Sequence, residues 1–491
     1  MLLTMTEQQI GLSSQLAGGP GGESRKWLGL ACVSVAQLMV ALDATVINIA
    51  LPSAQHALGI TDPQRQWVVT AYTLAFGGLL ILGGRVADTI GRRRAFLAGL
   101  AGFALASAAG GAAPNFTALV AARAVQGACA ALLAPTALSL LAVTFTAAKE
   151  RAKAFAVFGA IAGMGGALGL LLGGILTQYL DWRWCLFINV PVAAATLVAG
   201  LRLLPATPPR RGARLDVPGV VLVVTGLVAI VYGLSSAATR GWSAPVTLAT
   251  LAAGAVLIAG FLFAESAVSA PLLPLRILAN RNRGGAYAAI GLAVVALYGL
   301  FLLLTYDLQV VLHYSPVRAG LAFLPLSAAV LASSTTVSQV LLPRVPPRAL
   351  MAPGLLVGAV GMATLTMLHA GDSYALHVLP AELLLGLGMG AVFVPAFSTA
   401  TLGVADREAG VASAVAGTSQ QIGASIGTAL LNTLAAAATT AYVAAHGGTL
   451  TAAALVHGYA TAAGWAAVIL AAAAIVVAAL VTAGPLQHQH E

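Results

Sequence analysis

The chain has 491 residues, 59% of them hydrophobic and only 8% charged, with a formal net charge of +9. Soluble domains carry about 25% charged residues, so this composition excludes a soluble enzyme and points to a chain built of bilayer-crossing segments of about 20 apolar residues each. The positive balance is spread over short loops, as expected of loops that face anionic lipid, and is not a nucleic-acid footprint.

Residues 1–26 are polar and Gly-rich at their start and read as a disordered cytoplasmic tail with no cleavable signal peptide. Fourteen spans are predicted after it, near 27–50, 66–84, 95–113, 116–140, 154–177, 184–203, 217–237, 247–264, 284–306, 319–342, 350–369, 377–399, 411–431 and 459–482. They divide into a six-span bundle over 27–203, an inserted segment 204–283 with two additional spans and Pro-rich flanks, and a second six-span bundle over 284–482. A cytoplasmic tail, 483–491, closes the chain; its His488 and His490 are read as part of a disordered terminus and not as metal ligands. With both termini inside, the loops facing the cytoplasm hold most of the 24 Lys and Arg, including Arg92–Arg94 and Arg281/Arg283. The opposite loops hold only Arg65, Arg183, Arg240 and Arg318, the bias the positive-inside rule expects. Cys32, Cys129 and Cys185 all fall in apolar stretches and read as small packing residues, leaving no disulfide framework or metal site.

The first span holds an acid, Asp43, within Val40-Ala41-Leu42-Asp43-Ala44-Thr45. A carboxylate at the centre of a membrane helix costs about 2.5–3.5 kcal/mol on insertion scales, so it is seldom retained without a task such as proton relay, ion coupling or cation binding. Arg123 is the basic residue inside span 4. At 1.5 Å per residue, Asp43 lies about 12 Å and Arg123 about 10 Å below the outer ends of their spans, so the two can meet. They read as a proton switch, with a purely structural buried pair as the alternative, because burial and a neighbouring guanidinium act in opposite senses on a carboxyl's proton affinity.

The loop after span 2, Gly84-Arg85-Val86-Ala87-Asp88-Thr89-Ile90-Gly91-Arg92-Arg93-Arg94, sets an acid in a basic turn, where Asp88 can pair with Arg92 or a helix N-terminus. This loop resembles motif A of the major facilitator superfamily at Gly84, Ala87, Asp88, Gly91, Arg92 and Arg93, with Thr89 replacing a usual Arg. Leu119 to Gly127, which contains Arg123, resembles motif B, with Cys129 where Gly is common. Gly165-Gly166-Ala167-Leu168-Gly169-Leu170-Leu171-Leu172-Gly173-Gly174 resembles motif C, the antiporter motif, with Leu170 in place of its usual Pro. Leu42 to Pro52, Trp182 to Pro191 and Gly320 to Pro325 are similar to segments of the fourteen-helix drug:proton antiporters, bacterial exporters of drugs and antibiotics.

The resemblance implies an all-α polytopic membrane protein of the major facilitator fold, two six-helix bundles plus two extra central helices, in the bacterial inner membrane. It also implies a secondary transporter that works as a monomer on a small molecule and protons. No phosphate-binding Gly-x-x-x-x-Gly-Lys loop is present to hold ATP, so no cofactor is expected and the proton gradient supplies the energy. Asp43 and Arg123 are the proton-coupling residues; Gly84, Asp88, Gly91, Arg92 and Arg93 form the gating loop. Gly165, Gly169 and Gly173 fall four apart on one helix face and, with Gly174, serve close helix packing, gating, or both.

Gln37, Asn48, Gln126 and Gln309 are candidates to line a substrate cavity, with hydrogen bonds between helices as the alternative. Two acids complete the candidates. Asp307, at the outer end of span 9, reads as a solvated helix end or as an attractor of cations, and Glu382 lies about 8 Å into span 12. The function expected is proton-coupled export of amphipathic or cationic drugs or antibiotics. A dedicated exporter of one metabolite or antibiotic, an uptake symporter, and a membrane enzyme or sensor are the alternatives. No His-Glu-x-x-His motif supports the enzyme.

Overall fold

A computed structural model describes residues 20–145, 148–205, 216–267, 273, 275–404 and 406–485, apart from the side chains of 20–23, 148, 149, 151, 152, 155, 156, 159, 160, 162–164, 167, 238 and 406–409. Residues 1–19 and 486–491 of the expected tails, with His488 and His490, lie outside the described residues, as do Arg210, Arg211 and Arg214 of the linker.

Among the described residues, thirteen helices are long and apolar enough to cross a membrane, and helix Ala148–Tyr179 occupies the place of the fifth predicted span. In chain order these are α1 (Pro20–Leu58), α2 (Asp62–Ile90), α3 (Arg92–Gly111), α4 (Phe116–Thr144), α5 (Ala148–Tyr179), α6 (Trp184–Leu203) and α7 (Val217–Arg240). There follow α8 (Pro245–Ala267), α9 (Arg281–Tyr306), α10 (Pro316–Leu341), α11 (Pro347–Thr364), α12 (Leu379–Ala400), α13 (Asp406–Ala445) and α14 (Ala452–Leu480).

Local chemistry sets several helix starts. The side chains of Asn115, Asp216, Ser315 and Thr451 accept hydrogen bonds from the backbone N–H groups of Ala118, Gly219, Arg318 and Ala454, meeting donors that a helix start leaves free. Two helices outrun their predicted spans the furthest. Helix α1 begins at Pro20, inside the expected tail, and continues through Pro52 to Leu58. Helix α13 runs 40 residues because the Ala-rich stretch after Leu434, strongly helix-forming, extends it past the apolar segment. Single π-helical turns sit at Asp307–Val311, Val337–Leu341 and Tyr374–Val378.

In the first group α1 packs on α5 and α6, α2 on α4, and α3 on α4 and α6. In the second, α9 packs on α13 and α14, α11 on α12 and α14, and α10 on α12. The groups meet along two seams, α2 against α13 and α5 against α10. The inserted α7 and α8 pair with each other, and α7 lies against both α2 and α13. Only 17% of the most apolar window of α8 is buried, and its mean hydropathy of 2.2 suits the lipid that the rest must face.

Helices in lipid gain little from hydrophobic burial against each other, so close approach and polar contacts hold the seams. At one end of the bundle, Arg65 Nε donates to Asn432 Oδ1 at 3.1 Å and Asn432 Nδ2 to Gln66 Oε1 at 3.1 Å. Gln309 Nε2 donates to the Ile49 carbonyl at 2.9 Å, and the Tyr306 hydroxyl bonds Gln55. The Arg65 guanidinium lies 3.8 Å from the centre of the Tyr306 ring. Further along the same seam Thr73 and Ser425 hydroxyls meet at 2.7 Å. The other end, called the basic face below, carries the Gly91 turn and the arginines that tie helix ends together there: Arg25 to Arg202 O, Arg93 to Leu201 O, and Arg281 to Ala479 and Leu480 O.

Candidate functional site

Asp43 and Arg123 meet, as their depths allow. Arg123 Nη1 donates to Asp43 Oδ2 at 2.7 Å, and both side chains are 0% exposed. The other carboxylate oxygen, Oδ1, accepts from Gln126 Nε2 at 2.7 Å and from Asn189 Nδ2 at 2.8 Å. One acid on α1 is thereby tied to α4 twice and to α6 once. Arg123 is held in turn: Nε donates to the Val68 carbonyl at 3.1 Å, Nη1 to Gln126 Oε1 at 2.8 Å, and its guanidinium lies 4.3 Å from the centre of the Tyr72 ring on α2. Gln126 Nε2 also donates to Ser107 Oγ on α3 at 2.7 Å. Arg123 Nη2 alone has no hydrogen-bond partner.

A buried ion pair offsets its desolvation only when its remaining lone pairs and protons are bonded. This one meets that condition at the acid and leaves one nitrogen free at the base. Four helices converge on it, so any relative movement of α1, α4 and α6 must stretch or break charge-assisted hydrogen bonds. Asn189 and Ser107 escaped the sequence reading. The only available signal for Asn189 was its place in the Trp182–Pro191 segment, and Ser107 gave none beyond a polar residue in an apolar span.

The glycine series on α5 is a packing surface. A Cβ at Gly165 would strike Ala41, one at Gly169 would strike Thr45 and Leu42, and one at Gly173 would lie 2.5 Å from the Val46 carbonyl. These contacts bracket Asp43 along α1. Gly174 faces the second group instead: its Cβ would come within 2.5 Å of the Pro316 carbonyl on α10. The motif therefore seals α5 both to the helix that carries the acid and to the α5–α10 seam.

In the motif A turn, Gly91 has φ +94°, a backbone conformation that side chains disfavour, and it joins α2 to α3. Asp88 Oδ1 lies 3.8 Å from Arg92 Nη2, with both side chains partly exposed. Arg92 Nη1 donates to Ser139 O at 3.4 Å, tying the turn to α4, and Arg93 reaches Leu201 O at the end of α6. Gly84 faces Pro135 at an ordinary van der Waals distance.

The remaining candidates separate. Gln126 belongs to the Asp43 cluster and Gln309 to the seam between the groups. Asn48 is 2% exposed, with its Nδ2 unbonded, and Gln37 is half-buried. Glu382 is 0% exposed; its Oε2 accepts from the Tyr374 hydroxyl at 2.9 Å, and Oε1 has no partner. The reading of Asp307 as a solvated helix end is corrected. It is 3% exposed and neither carboxylate oxygen has a hydrogen-bond partner, because the ends of α11 and α14 fold over the end of α9 and close it off. It lies inside the second group and not beside the Asp43 cluster. The three cysteines are free, Cys32 and Cys185 buried and Cys129 half-buried.

Comparison with known proteins places this geometry in a family. The family model described as Major Facilitator Superfamily matches residues 33–428. The puromycin resistance protein Pur8 of Streptomyces alboniger is 52% identical over 90% of this chain and 88% of its own length. The cephamycin export protein CmcT of Amycolatopsis lactamdurans is 39% identical over 84% of this chain and 85% of its own. The tetracenomycin C resistance and export protein of Streptomyces glaucescens is 35% identical over 88% and 79%. Among solved structures, a bacterial homologue of the human lysosomal transporter Spinster aligns with a TM-score of 0.67 at 17% identity, over 92% of this chain and 96% of that one. PepTSo aligns at 0.66 and 15%, over 92% and 98%. The shared fold, the matched family model and these relatives lead to one conclusion: the chain belongs to the major facilitator superfamily and is a multi-pass membrane transporter of small molecules, not an enzyme.

Proposed function

We propose that the chain exports an antibiotic from the cytoplasm in exchange for protons, with Asp43 as the proton carrier. The observation that carries the coupling is the buried Asp43–Arg123 contact at 2.7 Å, set where α1, α4 and α6 meet. In the conformation described here the carboxylate is matched by the guanidinium. A shift of the helices that withdraws Arg123 leaves Asp43 to accept a proton, and the return of Arg123 expels it on the other side. A net proton then moves inward for each cycle in which substrate moves outward.

The seams supply the alternating access. With the basic face in the cytoplasm, as the Lys/Arg bias supports, the clasp of Arg65, Asn432, Gln309 and Tyr306 is the outer gate and the Asp88–Arg92 turn part of the inner one. The membrane is the bacterial inner membrane, and the working unit is the monomer. The dedicated form of the reading draws support from the three relatives named above, whose names each carry a single antibiotic, and puromycin is the first compound to test.

Purified protein in liposomes with an imposed pH gradient should move puromycin uphill, and collapse of the gradient with a protonophore should stop it. Transport that ignores the gradient would end the proton-coupled reading, and accumulation in the same direction as the proton would make the chain a symporter. A screen of cationic, neutral and anionic compounds in the same vesicles separates a dedicated exporter from a broad one. Orientation is checked by cysteine access: Gly212→Cys should resist an impermeant maleimide added to intact cells, and labelling from outside would invert the topology.

A further inference from the structure

The inserted helices α7 and α8 pack against each other along a seam of glycines. A Cβ at Gly226 would lie 3.0 Å from the Ile258 side chain, and one at Gly233 would lie 2.7 Å from that of Leu251. The opposed positions advance in step, so the rung at the start of α7 sets Gly219 against Glu265. There a Cβ would strike Asp216 Oδ2 and lie 3.1 Å from Glu265 Oε1. The notch left by the missing side chain holds two carboxyl groups.

Each acid has one oxygen in use. Asp216 Oδ1 accepts from the Gly219 N–H at 3.0 Å, capping α7, and Glu265 Oε2 accepts from the Leu273 N–H at 2.9 Å. The other two, Asp216 Oδ2 and Glu265 Oε1, face the notch, and as carboxylate oxygens neither has a donor. Glu265 is 2% exposed, so bulk water does not supply one. Of the charged side chains described on the elements packed around this end, α2, α13 and the short helix Leu275–Ala279, Arg85 of α2 is the one that acts on Glu265. Two carboxylates side by side repel, and two buried oxygens without donors are costly. One proton removes both costs, because a carboxyl O–H donates to the facing oxygen and makes Asp216 and Glu265 hydrogen-bond partners.

We propose that Asp216 and Glu265 share one proton, and that this proton latches α7 to α8 at the basic face. Its loss leaves two like charges in the notch and parts the helix ends. Because α7 lies against both α2 and α13, the state of the latch reaches the seam between the two groups. The latch goes beyond the transport reading and does not depend on it: Asp43 is bonded from α4 and α6 alone, and the acid pair stands whatever the substrate or the direction of its movement.

The test uses the full chain in detergent, where both faces see one pH. Cys32, Cys129 and Cys185 are changed to Ala, and spin labels are attached through Val221→Cys and Phe263→Cys, exposed positions near the two helix ends. The distance between the labels, read by double electron–electron resonance, should lengthen by about 2 Å or more between about pH 6 and about pH 9, the step from a shared hydrogen bond to two separately hydrated carboxylates. Glu265→Gln, whose amide N–H donates to Asp216 at any pH, should hold the short distance throughout. Asp216→Asn makes the same tie from the other side and keeps a good helix cap, so it should do likewise and serves if Glu265→Gln fails to fold. A distance in the parent chain that ignores pH would overturn the proposal, as would lengthening that persists in folded Glu265→Gln or Asp216→Asn protein. Lengthening at the lower pH on addition of EDTA would also overturn it, by giving the two oxygens to a divalent cation.

Discussion

Asp43 in the first helix group and Asp307 in the second are both carboxylates withdrawn from solvent, yet their surroundings are opposite. Asp43 accepts three hydrogen bonds, one from a guanidinium, and every one comes from another helix. Asp307 accepts none, and its neighbours are leucines, a methionine and a tyrosine. Glu382 stands between them, with one oxygen on the Tyr374 hydroxyl and the other free. The contrast separates two settings of a membrane carboxylate. An acid with a built-in counter-charge ties helices together, so their relative movement must stretch its bonds. An acid without one makes no such tie.

The comparison breaks most sharply at Arg123. Arg123→Ala leaves Asp43 buried without its cation and should cost about 3–5 kcal/mol of stability, read as a large fall in the melting temperature of purified protein. Arg123→Lys should be the milder lesion, since it keeps the charge but not the planar fork. The same exchange of side chain for Ala at Leu303, beside Asp307, should leave the Asp43 cluster unaffected.

Asp43→Asn comes next, and its effect falls on coupling. Asn retains the size and much of the hydrogen bonding but cannot titrate, so uphill export should vanish while downhill exchange or substrate binding survives. Substrate-induced proton release in detergent, followed with a pH dye, isolates the step. Undiminished release from folded Asp43→Asn protein would move the coupling site, with Glu382 next in line.

Asn189→Ala sharpens the comparison within the first cluster. It removes one of three donors to Asp43 and should cost about 1 kcal/mol, a shift in thermal melting smaller than that of Arg123→Ala. A change as large as that of Arg123→Ala would mean that α6 and not α4 sets the position of the acid.

Asp88→Asn tests the gate. The pair with Arg92 is long at 3.8 Å and partly exposed, so stability should change by less than about 1 kcal/mol. Efflux should nevertheless fall at equal membrane level. Full transport would reduce Asp88 to a helix-end residue. The smallest effect is expected at Glu382→Gln, which should lower efflux of cationic compounds more than of neutral ones; an equal loss for both would point to packing.

Much of this architecture is legible in the amino-acid sequence. Span number, and the matching depths that let Asp43 and Arg123 meet, follow from quantities the backbone fixes: the length needed to cross lipid and the 1.5 Å rise that sets depth along a helix. The four-residue spacing of Gly165, Gly169 and Gly173 puts them on one helix face for the same reason. Depth says nothing about rotation or about which helices become neighbours. Only the tertiary structure turns Asn189 of α6 toward Asp43, brings Ser107 of α3 to Gln126, and sets Gly173 against Val46 but Gly174 against Pro316. It likewise decides the fate of Asp307. A polar residue at the end of a span looks solvated when read alone, and what buries it are the ends of α11 and α14, more than 50 and 150 residues further along the chain.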